Sequence, residues 1–354
     1  MLLYIHIPFC DSKCYYCAFN TYTDRFHLKK DYMEALKKQL KFDLETNLKK
    51  NEKLDTVFIG GGTPSTINVE LYKGVFDILN PYLSENCEIT SESNPNSASK
   101  EWLQGMKDLG LNRISFGVQS FDDKKLKKLN RAHNSKGAIT AIQNANCIGF
   151  NRINCDIIYG VEGDTLESIK DDFNTIFSLP VTHISAYSLT LEEGTKFFNN
   201  TKIKIDDEEL SYKIFNYLKE NDFNQYEISN FSKTKNDEST HNYGYWQHKN
   251  YLGVGAGAVG CVNEQRYYPN KSIEEYISSP TSYEFENLSK EDIKVEKVLL
   301  GLRCSNGFNL EILTDNEKIK TKELIKENKL ELKDQIITNK NFLLSDELAL
   351  YILE

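Results

Sequence analysis

Over the first 190 or so residues, short apolar runs alternate with longer amphipathic ones, and no other property of the chain narrows its architecture as far. The runs LLYIHI, LDTVFIG, CEITSES, RISFGV, NCDIIYG and THISAYSL read as strands. Between them, helical patterns fall near residues 29–50, 68–80, 99–109, 122–130, 135–148 and 166–178. Strands separated by helices run parallel and are joined by right-handed crossovers. Six such strands are fewer than the eight that close a TIM barrel, so an α/β fold with a partial, open barrel is predicted over residues 1–190. In parallel sheets, ligand groups collect at the C-terminal strand ends, and the unusual residues of this chain lie at those ends.

After residue 190 the rhythm changes. A helical pattern near 206–221 is followed by the strand-like FNQYEIS, a polar stretch, the segment HNYGYW and the Gly-rich run YLGVGAGAVG. We read residues 191–284 as a small α+β extension. The Gly-rich run suits a tightly packed strand and turn better than a phosphate cradle, because no clear helix follows it for an anion to dock on. From residue 285, helical patterns at 290–302, 309–313 and 316–328 precede the short runs KLELKD and QIITN and a final apolar ELALYIL. That order resembles a winged-helix-like C-terminal domain, 285–354, read as a lid or docking module because its charges are mixed. At 354 residues, one large domain with small additions is expected.

The net charge of −9, with Lys and Glu dispersed, offers no electrostatic footprint for nucleic acid. No apolar stretch approaches the roughly 20 residues that span a bilayer, and no signal peptide precedes the first motif, so a soluble cytoplasmic protein without a transmembrane segment is expected. Of eight cysteines, Cys87, Cys147, Cys155, Cys261 and Cys304 are scattered, as small hydrophobes of a reducing compartment are.

The other three, Cys10, Cys14 and Cys17, form C-x3-C-x2-C directly after the first strand, among Tyr15, Tyr16 and Phe19. A cubane [4Fe-4S] cluster takes a thiolate on each iron, so three local cysteines leave one iron open to a ligand. Zinc is the alternative, needing a fourth ligand and usually two separated C-x2-C pairs. The second strand ends in Gly60-Gly61-Gly62-Thr63-Pro64, whose glycines either shape a turn or bare backbone to a close ligand. Glu92 ends the third strand before Asn94-Pro95, Gln119 ends the fourth, and Asp156 lies within the fifth. A buried acid needs a partner; ribose hydroxyls would serve Glu92. Arg131, in LNRAH, carries a fork suited to a carboxylate, either of a ligand or of Asp156 in an internal ion pair. Tyr4 and Tyr16, taken alone, are as well explained by packing.

Taken in order, LLYIHIPFCDSKCYYCAFN, GGGTP, SESNPNS, FGVQSF, LNRAH and NCDIIYG resemble the radical S-adenosylmethionine (SAM) superfamily, and within it the branch of oxygen-independent coproporphyrinogen III dehydrogenases. The resemblance implies a radical SAM (β/α)6 partial barrel with a [4Fe-4S] cluster on Cys10, Cys14 and Cys17 and SAM on the open iron. It further implies that Tyr4 and Tyr16 flank cluster and SAM, that Gly61, Gly62 and Thr63 hold the methionyl end, that Glu92 binds ribose, and that Gln119, Arg131 and Asp156 complete the pocket.

Two departures from the dehydrogenases stand out. Their pattern adds a cysteine where this chain has Phe19, and they carry an N-terminal extension, whereas this chain opens on the strand. Both features are similar to HemW-type heme chaperones, as is His241-Asn242-Tyr243-Gly244-Tyr245-Trp246, which matches an H-N-x-x-Y-W signature. The resemblance thus implies a heme-binding protein that passes heme to an acceptor, such as a membrane-bound heme enzyme, with an electron donor serving the cluster. His241 is the candidate heme ligand, with Tyr243, Tyr245 and Trp246 as an apolar bed; an aromatic cluster holding the second domain to the barrel is the alternative. Val259 stands where relatives often have histidine, Val161-Glu162-Gly163-Asp164-Thr165 replaces a usual Leu-Pro-Gly-Gln-Thr, and His6 and His133 stay open as ligands. The rival reading is an enzyme, either a coproporphyrinogen III dehydrogenase or another radical SAM oxidoreductase that cleaves SAM to a 5′-deoxyadenosyl radical.

Overall fold

A computed structural model describes residues Met1–Glu354. Six strands, β1 (Leu2–Ile7), β2 (Leu54–Gly61), β3 (Leu83–Ser93), β4 (Arg113–Gln119), β5 (Ile153–Tyr159) and β6 (His183–Ser188), pair in parallel in that order. The crossovers are α1 (Lys29–Asn47), α2 (Val69–Leu79), α3 (Lys100–Asp108), α4 (Asp123–Lys128) with α5 (Ser135–Ile148), and α6 (Leu166–Phe177). Strands β1 and β6 do not pair with each other, so the barrel is open.

Local sequence explains these elements. In α1, Tyr32, Met33, Leu36, Leu40 and Leu44 recur at helical spacing and are buried against the sheet. Asn68, Ser99, Asp122, Asn134 and Thr165 cap the following helices through their side chains, and Gly149, at φ +98°, ends α5 in the left-handed region.

The next residues do not form a separate layer. After α7 (Glu208–Glu220), the run FNQYEIS is broken by a turn: β7 (Asn224–Gln225) and β8 (Asn230–Ser232) flank it, and β8 pairs antiparallel with β6. HNYGYW folds as the short helix α8 (Thr240–Trp246). The Gly-rich run then supplies β9 (Tyr251–Val254), parallel to β1, and β10 (Gly260–Val262), while β11 (Gln265–Pro269), α9 (Ile273–Ser278) and β12 (Tyr283–Asn287) complete that edge. Residues 224–287 thereby extend the barrel sheet at both ends to twelve strands. Gly260 is required here, since a Cβ would meet the Tyr267 ring at 2.1 Å.

The C-terminal part comprises α10 (Lys290–Gly301), β13 (Phe308–Asn309), α11 (Asp315–Lys326), the hairpin β14 (Leu330–Lys333) and β15 (Ile336–Asn339), and α12 (Ser345–Leu353). The ELALYIL run is thus a helix. Its three strands form a separate antiparallel sheet over their own core, centred on Val298, Phe308, Leu324, Ile337 and Leu348. No helix in the chain is long and apolar enough to cross a membrane.

One buried amide fastens the added edge to the barrel. Gln39 donates to Asp43 and to the Gly253 carbonyl at 3.0 Å each, and its oxygen accepts from Gly255 N–H at 2.9 Å and Tyr276 O–H at 2.7 Å. Replacing it by an apolar isostere strands several buried partners. Gln39→Leu is expected to lower stability by about 2 kcal/mol or more in denaturant titration, since each unsatisfied buried polar group costs about 1–3 kcal/mol; an unchanged midpoint would refute that role.

Candidate functional site

The loop after β1 carries the three cysteines, and the barrel holds it from below. Thr63 N–H donates to the Phe9 carbonyl and Gly62 N–H to the Ile7 carbonyl, at 2.8 Å each. Gly62 permits no side chain, because a Cβ would lie 2.8 Å from both carbonyl oxygens, and Gly61, at φ +108°, would drive a Cβ into the His6 ring. The glycines therefore bring the end of β2 against the cysteine loop, and Gly61 N–H donates to Glu92 at 3.0 Å.

From that contact a hydrogen-bonded chain links two cysteines. Cys10 Sγ lies 3.3 Å from Thr63 Oγ1, and the Asn94 amide donates to that hydroxyl at 3.0 Å. Arg131 Nη2 donates to Asn94 Oδ1 at 2.6 Å and to the Gly117 carbonyl, while Nη1 reaches Cys14 Sγ at 3.1 Å and the Tyr16 hydroxyl at 3.4 Å. Cys17 N–H donates to the Cys14 carbonyl. All three thiols are free. Burial pushes the Cys10 thiol up to about 11 and raises Cys17 as well.

Arg131 does not pair with Asp156, so that ion pair does not form. Asp156 instead accepts from Asn154 at 2.7 Å and Ser115 at 3.3 Å deeper in the barrel. Gln119, at φ +69°, closes β4 beside Arg131, and its buried Oε1 has no partner; Arg131 Nε is likewise unpartnered. Burial, reinforced by the Asp156 charge, pushes Glu92 up to about 7. Tyr4 stacks on Phe58 and hydrogen-bonds His6 Nδ1 at 3.0 Å.

The histidines left open by the sequence prove to be braces. His6 Nε2 donates to the Asn20 carbonyl at 2.9 Å, and the Asn20 amide holds the Ala256 and Lys271 carbonyls, tying the cysteine loop to the β9–β10 edge. His133 donates to the Val118 carbonyl and is buried. Gly163, at φ +93°, is a turn residue, and the neighbouring Asp164 carboxylate accepts from Val161 N–H and pairs with Lys125.

His241 is 1% exposed and stacks on Phe58 at 5.0 Å. Its Nδ1 meets Thr56 Oγ1 at 2.7 Å and its Nε2 the Tyr245 hydroxyl at 3.0 Å. Burial lowers it to about 3, so it is neutral. The backbone N–H groups of Thr240 and His241 donate to Glu88, which also pairs with Arg152 at 2.6 Å. Burial raises that carboxyl, but Arg113 and Arg152 outweigh it and hold it below its ordinary value.

A cavity of about 1540 Å³ opens beside these residues. Tyr4, Phe58 and Glu92 form its barrel side, Tyr245, His248 and Tyr251 its floor, and Leu299, Leu300 and Arg303, on and just beyond α10, its far wall. Phe19, 64% exposed, stands on its rim next to the cysteines. Sequence reading missed Asn94, Asn20 and Thr56 as site residues. Asn94 was visible at a strand end, yet its link between Thr63 and Arg131 exists only in three dimensions.

The signature of the radical SAM superfamily matches residues 4–176. The chain is 36% identical over 323 residues to the heme chaperone HemW of Bacillus subtilis, covering 86% of this chain and 84% of that protein. It is 33% identical over 345 residues to the heme chaperone HemW of Lactococcus lactis, covering 94% and 89%. Coproporphyrinogen III oxidase (HemN) from Escherichia coli, a radical SAM enzyme, superimposes with a TM-score of 0.83 over 99% of this chain and 89% of that one, at 21% identity, a likeness of fold.

The Glu92 carboxyl sets a pH test. With its folded value raised from 4.5 to about 7, the folded chain holds this proton more tightly than the unfolded chain. Its contribution to stability is therefore full below pH about 4.5 and lost as pH rises through about 7. In the cofactor-free chain, Glu92→Gln is expected to melt progressively higher relative to the parent as pH goes from 5 to 8; a constant or narrowing difference would contradict this.

Proposed function

The chain belongs to the HemW family within the radical SAM superfamily, and on that premise we propose that it is a heme chaperone which holds heme in the cavity between barrel and C-terminal domain and passes it to an acceptor protein. The observation that carries the reading is the cavity itself. Its volume of about 1540 Å³ exceeds the roughly 300–1,000 Å³ of ordinary small-molecule pockets, and it offers both aromatic walls and cationic side chains to a flat apolar molecule bearing carboxylates. It also touches Tyr4 and Glu92, so cargo and cofactor lie side by side.

The cofactor residues fit their assigned group. Three free thiols sit on one loop, with an unpartnered Gln119 oxygen and Arg131 nitrogen beside them and two glycines that let the end of β2 pack directly against that loop. Cys10, Cys14 and Cys17 would hold the [4Fe-4S] cluster, and Tyr4, Tyr16, Gly61, Gly62, Thr63, Glu92, Gln119, Arg131 and Asp156 would surround SAM. When bound, the pair supplies one-electron chemistry at a sulfonium. Arg131 sits against Cys14, where its cation would offset the charge of a cluster-bound sulfur, and it fixes the loop through Asn94 and Thr63. His241, with both nitrogens engaged, positions Tyr245 and Phe58 on the cavity wall.

All eight cysteines are free, which suits a reducing cytoplasm. The acceptor is a heme protein, a membrane-bound one among the candidates, and a separate electron donor serves the cluster. The enzymatic alternative draws support only from the fold shared with the 21%-identical oxidase.

Two measurements test the proposal. After anaerobic reconstitution, Cys10→Ala, Cys14→Ala and Cys17→Ala are each expected to lose most iron, sulfide and cluster absorption while keeping the far-ultraviolet dichroism; variants that retain iron, or a parent that takes up zinc instead, would overturn the ligand assignment. Hemin titration of the parent should give a saturable Soret change, whereas coproporphyrinogen III with SAM and reductant should give no protoporphyrinogen. The reverse pattern would make it an enzyme.

A further inference from the structure

Three histidines line the cavity, and they are not equivalent. His6 and His241 are buried with both ring nitrogens engaged. His248 is not. It leaves α8 at φ +55°, a left-handed conformation uncommon for a residue with a side chain, and its side chain is 15% exposed.

Its Nε2 lies 2.9 Å from Glu296 Oε2 on α10, and Arg266 of β11 grips the other oxygen of the same carboxylate. Its Nδ1 has no protein partner and is not buried. An imidazole that gives one N–H to an anchored carboxylate and keeps the other nitrogen as an open lone pair has the arrangement of a metal-ligating histidine. Three of the competing hydroxyls are spent: the Tyr245 hydroxyl meets His241, Tyr22 donates to the Lys271 carbonyl, and Tyr268 donates to Glu286; the Tyr251 hydroxyl is the remaining oxygen donor, and a tyrosinate ligand would not give the low-spin imidazole spectrum. Cys261 also lines the cavity, but burial raises its thiol, which leaves little thiolate to bind a metal.

Two cations stand next to this pair in the chain. Lys249 follows His248 and Lys297 follows Glu296; both line the cavity, and neither takes part in an ion pair. A nitrogen donor and two ammonium groups outside any ion pair therefore line the same cavity as Tyr4 and Phe58.

We infer that His248 supplies the nitrogen that ligates the iron of a metalloporphyrin in this cavity, and that Lys249 and Lys297 pair with its carboxylates. This rests on the chaperone reading above and replaces His241 as the donor. Glu296 and Arg266 are positioning residues that fix the imidazole.

The experiment titrates the full-length chain with hemin, reading the Soret band and the low-spin electron paramagnetic resonance signal. His248→Gly is expected to weaken binding at least tenfold and to lose the imidazole-type spectrum, which added imidazole restores. His248→Gln serves as a second variant should the glycine form fail to fold. His241→Ala, if folded, should keep the imidazole-type low-spin signal, with its effect confined to affinity through Tyr245 and Phe58. Lys249→Gln combined with Lys297→Gln should abolish the preference of the parent for hemin over its dimethyl ester. A parent-like spectrum and affinity in both His248 variants, or spectral loss that follows His241→Ala or Cys261→Ala instead, would overturn the assignment and leave the chaperone reading standing. Absence of saturable hemin binding in the parent would overturn that reading and this inference together.

Discussion

The site depends on one guanidinium. Arg131 touches Cys14 and Tyr16 with one nitrogen, and Asn94 and the Gly117 carbonyl with the other; through Asn94 and Thr63 its influence extends to Cys10. A planar fork can hold four groups at once in this way, where an ammonium acts as a point charge. The cysteine loop, the ends of β2 and β3 and the turn after α4 are thereby locked into one unit. It keeps one cation beside thiols that otherwise face a desolvated environment, where burial favours the neutral form.

Around that unit the molecule builds outward from a single sheet. Because β9 joins β1 in parallel and β8 joins β6, the segments after residue 190 continue the barrel sheet, and the cavity arises where α10 packs toward α8. Glu88, Thr56 and Phe58 hold α8 from the barrel side, while Glu296 meets His248 from the other. Residues packed against the cysteine loop and residues lining the cavity therefore share strands β2 and β3.

Much of this was legible beforehand. Parallel strands, their helices, the cysteine loop and the glycine turn announce themselves through periodicity and spacing, and each is a property of a few consecutive residues. The gathering of the cysteine loop, the glycine turn and Gln119 at C-terminal strand ends followed from the fold class. The continuation of the sheet by YLGVGAGAVG was not legible, since a strand three or four residues long carries almost no periodic signal, and the partner of β9, β1, lies about 250 residues away. The break in FNQYEIS was hidden for the same reason: its composition suits a strand, and only pairing with β6 decides where the strand stops.

The histidines mark the boundary most clearly. From the sequence alone, HNYGYW draws attention to His241 and nothing distinguishes His248. In the folded chain Thr56, 185 residues away, and Tyr245 occupy both nitrogens of His241, while Glu296 takes only one nitrogen of His248. The order of amino acids determined the architecture, the thiol trio and the family, because those are written in short-range spacing. Tertiary structure alone decided which polar atoms are spent on holding the fold and which are left free to bind, because a hydrogen bond saturates its donor and acceptor, and the partners that saturate them come from distant parts of the chain.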